Sequence, residues 1–128
     1  MRTAGNYTLK WLFLDFDGRI RRVTFGLSCV LIVVVYSWML YQLMNTPETS
    51  WQFGAWGLAF MAAFLITAWI MAALSAKRLH DLGFSGYLAI AVFLPIFTFI
   101  FFFVLCLWQG NPGRNQFGEP PIRKSRKR

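Results

Sequence analysis

The chain has 128 residues, of which 57% are hydrophobic, 19% aromatic and only 14% charged. Its mean hydropathy is +0.49. Soluble domains run about 45–50% apolar and about 25% charged, so this composition excludes a disordered chain and argues against a soluble globule. Thirteen Lys and Arg against five Asp and Glu give a net charge of +8. These basic residues lie between and after apolar runs, which fits an anionic membrane surface, and no nucleic-acid motif accompanies them.

The first element expected is a short amphipathic helix over 7–17. Leu9, Leu12, Phe13 and Phe16 fall at helical spacing, and Tyr7 and Trp11 are interface-seeking residues. Asp17-Gly18 then reads as a turn. Three uncharged stretches follow, of 22 residues (23–44), 28 residues (49–76) and 30 residues (82–111). A bilayer core of about 30 Å needs about 20 helical residues. Backbone groups in lipid must be paired internally, so helices are expected rather than open strands. Membrane segments are therefore placed at 23–44, 51–76 and 84–109. The first stretch is too long for a signal-peptide core and ends without a small-residue cleavage pattern, so it reads as a retained helix.

The loops give an orientation. Arg2, Lys10, Arg19, Arg21 and Arg22 precede the first stretch, and Lys77, Arg78 and His80 follow the second. The connection at 45–50 has no Lys or Arg. By the positive-inside rule the N-terminus and the 77–83 segment are cytoplasmic. The third stretch contains Pro95, which breaks or bends a helix. Two readings are open: a single span, or a re-entrant hairpin bent near Pro95, with Thr98 helping to satisfy the freed backbone groups. The hairpin returns the C-terminal segment to the cytoplasmic side. The fold expected is all-α and polytopic, with two full spans, this third Pro-bent stretch and the interfacial helix. It forms one membrane domain over 1–121, with a disordered basic tail at 122–128.

Small residues line the second span, with Ala55, Ala59 and Ala63 in one row and Ala68, Ala72 and Ala76 in another. Such rows let helices approach closely, within the chain or in an oligomer. Cys29 and Cys106 sit inside apolar runs with no CxxC neighbour, and read as packed or lipid-facing thiols.

Three polar segments interrupt the apolar chain. The first holds Asp17, Gly18, Arg19, Ile20, Arg21 and Arg22. The second runs Lys77-Arg78-Leu79-His80-Asp81-Leu82-Gly83-Phe84-Ser85-Gly86. The third is rich in Gly, Pro and Asn and includes Gly110, Asn111, Pro112, Gly113, Arg114, Asn115, Phe117 and Gly118. With these residues the chain resembles the domain of unknown function 805 family, small bacterial inner-membrane proteins. Gly18, Arg19, Ile20 and Arg22 match a G-R-I-x-R-type motif. Arg78, Leu79, His80, Asp81, Gly83, Ser85 and Gly86 match an R-R-L-H-D-x-G-x-S-G-W motif. Gly110, Pro112, Gly113, Asn115, Phe117, Gly118 and a following Pro match G-x-P-G-x-N-x-F-G-x-x-P. Lys77, Tyr87 and Arg114 depart from the pattern, as does Phe25 in the region after the first motif. The resemblance implies a bacterial inner-membrane location and carries no established activity.

The candidate cluster is Asp17, Arg19, Arg22, Arg78, His80, Asp81 and Asn115. Lys77 or Arg78 is expected to pair with Asp81 along one helix face. Arg19 and Arg78 suit an anionic headgroup, or else pair with Asp17 and Asp81. His80 reads as an interface anchor or a group titrating near neutrality. One His beside one Asp supplies neither a metal site nor a general acid–base set, so no catalytic residue, metal or cofactor is assigned. The function expected is an accessory or scaffold protein whose cytoplasmic polar cluster binds anionic lipid headgroups or a membrane-protein partner, with homo-oligomers also open and nucleic acid excluded as a partner. A small oligomeric transporter or channel is the alternative, although charges within spans usually mark ion paths and here there are none. A lipid-modifying enzyme using His80 and Asp81 is the third reading.

Overall fold

The structure, a computed structural model, describes residues 8–121. The expectations for Tyr7 and for the tail at 122–128 lie outside the described residues. Four α-helices and one 3₁₀ segment make up the fold: α1 (Leu9–Leu14), α2 (Arg22–Met44), α3 (Trp51–Leu82), the 3₁₀ segment (Gly86–Phe93) and α4 (Pro95–Leu107). Among the described residues no strand forms. One isolated bridge pairs Asn115 with Gly118, each N–H donating to the other's carbonyl at 3.1 Å.

The helix expected over 7–17 is shorter. Thr8 caps α1 by accepting from Trp11 N at 3.2 Å, and Asp15 ends it in extended backbone. Asp15-Phe16-Asp17-Gly18 then leads out as an irregular strap. Gly18 takes φ 105°, and its Cα sits against the Trp11 ring: a Cβ there would lie 2.6 Å from Trp11 Cζ2.

α2 and α3 form an antiparallel pair joined by the turn through Pro47. Tyr36 meets Phe60 edge-on at 5.2 Å, and Trp38 meets Trp56 at 5.5 Å. Ser50 caps α3 by accepting from Gln52 N. Both helices are long and apolar enough to cross a membrane. The 32 residues of α3 span about 48 Å at 1.5 Å per residue, well beyond a hydrocarbon core of about 30 Å. The helix thus continues past the stretch expected to end at 76 and carries Lys77–Leu82 on its final turns. Gly83 closes it in the left-handed region (φ 86°), with its N–H to His80 O and the Phe84 N–H to Leu79 O. This is a Schellman-type ending, which glycine adopts without Cβ strain.

The third apolar stretch breaks at Leu94. Pro95 does not kink a continuous helix; it opens α4 at the first helical position, where its missing N–H costs nothing. The Thr98 hydroxyl bonds Val92 O and Leu94 O, both at 2.8 Å, and so ties the two arms together across the break, where Leu94 O also accepts from the N–H groups of Phe97 and Thr98. The two arms then return the chain to its starting point. Asn111 N donates to Asp81 O at 2.8 Å, and a Cβ on Gly83 would lie 2.6 Å from Asn111 Nδ2. A straight helix over 84–109 would instead separate those ends by about 39 Å. The 3₁₀ arm packs on α3 and α4 packs on α2, where Phe25 meets Phe102 at 6.3 Å. The buried apolar core (Phe25, Leu74, Leu79, Ala89, Leu105) therefore sits at one end, where the hairpin's two ends meet the start of α2 and the end of α3. Of the small-residue rows, Ala76 is buried within the chain, while Ala55 and Ala59 remain exposed.

Candidate functional site

Asp81, on the last turn of α3, is the centre of a buried polar knot. Arg19 reaches its Oδ1 with Nε at 3.1 Å and Nη2 at 2.9 Å. Arg78, three residues earlier on the same helix, holds Oδ2 through Nη1. Arg19 and Asp81 are 4% exposed and Arg78 is 0% exposed. Two guanidiniums on one carboxylate leave an excess positive charge in a dry site, which is costly unless other acceptors meet it. Here backbone carbonyls do so. Arg78 Nε donates to Leu105 O at 2.7 Å and Nη2 donates to Trp108 O. Both are carbonyls at the C-terminal end of α4, where helices leave acceptors unmatched and carry partial negative charge. Arg19 Nη1 donates to Gly113 O at 2.8 Å and to Gly118 O at 3.3 Å, and Nη2 donates to Asn111 O at 2.6 Å and to Asp81 O at 3.4 Å. All five donors of that fork have an acceptor.

The Arg78–Asp81 pair expected from helical spacing forms, while Arg19 does not take the partner expected for it. Arg19 and Arg78 share Asp81; Asp17 stays exposed and pairs with neither. Lys77, the other expected partner of Asp81, turns the opposite way. Its ammonium caps α1, donating to Trp11 O and to Leu12 O at 2.8 Å, and lies 4.4 Å from the centre of the Trp11 ring. That cation–π contact and the two carbonyls accommodate a lysine with no exposed surface.

His80 and Asn115 form the outer edge of the knot. The His80 ring stacks on Phe117 at 4.1 Å with an 11° interplanar angle. Its Nδ1 lies 3.3 Å from Gly18 O. A carbonyl only accepts, so Nδ1 carries the proton in that contact. The Nε2 edge is covered by Gly86, where a Cβ would come within 2.7 Å. Asn115 Nδ2 donates to His80 O at 2.7 Å, and its Oδ1 accepts from Phe117 N at 2.9 Å, an Asx turn that aims the phenyl ring at the imidazole. Gly110 passes so close to Asp81 that a Cβ would overlap the carboxylate.

Of the seven residues singled out from sequence, Arg19, Arg78, His80, Asp81 and Asn115 are thus brought together. Arg22 is exposed and opens α2. With Arg21 it borders an open cleft of about 500 Å³ whose far wall includes Arg78, Asp81 and Asn111. Among the described residues no group of three or more His, Cys, Asp or Glu converges. Lys77, Phe117 and Gly110 belong to the knot and were not in the candidate set. Their place in motif-bearing segments was the signal available.

Residues 13–119 match the family described as protein of unknown function (DUF805). The chain belongs to this family. No curated protein and no solved structure matches it. In this DUF805 chain the three polar segments, far apart in sequence, supply one structural unit: the first gives Arg19, the second Lys77, Arg78, His80 and Asp81, and the third the carbonyls that hold Arg19 (Asn111, Gly113 and Gly118) with Asn115 and Phe117.

Proposed function

We propose that this DUF805 protein is a multi-pass protein of the bacterial inner membrane that acts as an accessory or scaffold component rather than a catalyst. In this reading α2 and α3 cross the bilayer, and the hairpin of the 3₁₀ segment and α4 enters and returns. The knot then lies on the cytoplasmic face, where it docks a lipid headgroup or a partner protein. The hairpin arms, about 16 Å and about 20 Å long by residue rise, are too short to cross, and each packs one side against α3 or α2. One observation carries the reading: the charged groups of the knot are engaged in holding backbone and one another. Arg19 is saturated, Asp81 is held by two guanidiniums, and Lys77 sits on the carbonyls of α1. A general acid or base must instead be within reach of a substrate proton. His80, wedged between Phe117 and Gly86, braces the strap through Gly18.

Cysteines placed singly at Glu48 and at Arg114, both exposed, in a background without Cys29 and Cys106, test the placement. An impermeant thiol reagent should label Glu48→Cys in intact cells and Arg114→Cys only after lysis. Labelling of Arg114→Cys in intact cells would overturn the cytoplasmic knot. Turnover of a membrane lipid, lost in a folded His80→Ala variant, would overturn the non-catalytic role.

A further inference from the structure

The start of α2 is charged against its own dipole. Arg21 is its N-cap residue and Arg22 its first helical residue, with no acid in the first turn and no side-chain cap. A helix N-terminus carries about half a positive charge, so two guanidiniums there add repulsion rather than relieve it. The neighbouring helices have the usual remedy: Thr8 caps α1 and Ser50 caps α3. In α2 the first N–H groups have no side-chain acceptor, and one guanidinium nitrogen, Arg21 Nη2, is buried without a hydrogen-bond partner.

Arg21, Arg22 and the helix start border one space. Arg21, Arg22 and Val23, the first three positions of the helix start, line the cleft of about 500 Å³ opposite Arg78, Asp81 and Asn111. Asp81 is the acid on that wall, and its charge is already held by Arg19 and Arg78. An entering anion therefore meets three arginines of the cleft and no unpaired carboxylate. The far wall is fixed, because Arg78 and Asp81 are buried in the knot.

We propose that this cleft binds a phosphate group, carried by a phospholipid headgroup or free in solution, between the α2 N-terminus and the guanidiniums of Arg21 and Arg22. This rests on the docking role read above and names its ligand chemistry. Guanidinium forks match phosphate oxygens in pairs, and the free N–H groups of a helix start point at an anion placed on its axis. Val23 is 60% exposed beside the cleft, so a headgroup has access from the side.

The full chain in neutral detergent is titrated with inorganic phosphate and, separately, with dioctanoyl phosphatidylglycerol, with sodium chloride at matched ionic strength as reference. Saturable thermal stabilisation is expected, because a ligand that binds only the folded state raises its melting temperature. Arg21→Gln with Arg22→Gln should weaken binding by roughly tenfold or more. Val23→Glu supplies a carboxylate at the second helical position; it should raise the melting temperature of the unliganded protein and remove the phosphate response. If the double variant does not fold, Val23→Glu decides alone. Tighter binding of the lipid than of inorganic phosphate assigns the site to a headgroup; equal binding assigns it to a free anion; either upholds the site. No saturable shift with either probe, or an unchanged shift in the variants, overturns it. The measurement does not depend on sidedness, so loss of the phosphate site and loss of the cytoplasmic placement are told apart.

Discussion

Along most of α2 and α3 the large apolar residues Val30, Val33, Leu58, Phe64 and Ile66 are each more than half exposed, while at the end where the hairpin closes Lys77 and Arg78 have no exposed surface. Water-soluble proteins show the opposite distribution. In the membrane placement proposed above, lipid surrounds the shaft, and the hydrophobic effect gives its helices no reason to associate beyond packing. The polar end is where directional bonds fix which elements meet. The pair of helices is a support; the knot decides the tertiary structure.

Three substitutions sharpen that contrast. The largest effect is expected for Asp81→Ala, which leaves two buried guanidiniums facing each other. Breaking a buried charge pair costs about 3–5 kcal/mol. Denaturation in detergent should show most of the stability lost. Gly110→Ala should cost less, about 1–3 kcal/mol, since one methyl group must displace the Asp81 carboxylate from its arginines. Its melting temperature should fall between those of Asp81→Ala and the parent. The smallest effect belongs to Leu58→Ala on the shaft, 74% exposed, with a change within about 0.5 kcal/mol. If Leu58→Ala destabilised as much as Gly110→Ala, the shaft would be a packed interface and the contrast between the two ends would fail.

The shaft was legible because its signal is the absence of charge over long runs, which needs no knowledge of neighbours. The start of α2 and the start of α3 fall within a residue or so of the stretches drawn from hydropathy. The residues of the knot were legible as a group, since polar side chains isolated among apolar ones stand out. Their pairing was legible only where it is local: Arg78 and Asp81, three apart on α3, pair as their spacing suggests. Spacing on a helix favoured Lys77 or Arg78 for Asp81 and offered Asp17 to Arg19, but no local rule announces that Arg19 will cross 62 positions to Asp81. Most acceptors in the knot are backbone carbonyls, of Leu105, Trp108, Asn111, Gly113 and Gly118, and a carbonyl leaves no mark in the residue code. Lys77 was misassigned for the same reason: its partners are the carbonyls of Trp11 and Leu12. The hairpin closure shows in sequence only as Pro95 and a rule about charge and sidedness.

The reach of Arg19 also sets an order of assembly. It precedes both long helices, yet its acceptors at Gly113 and Gly118 lie 94 and 99 residues further on. While the ribosome is still making the chain, α2 and α3 can already be in place, but Arg19 then has only Asp81 to hold. The knot closes only after Gly118 has emerged. Until then Nη1 of Arg19 lacks its two carbonyl acceptors, and a product truncated before Gly113 keeps a partly unsatisfied arginine.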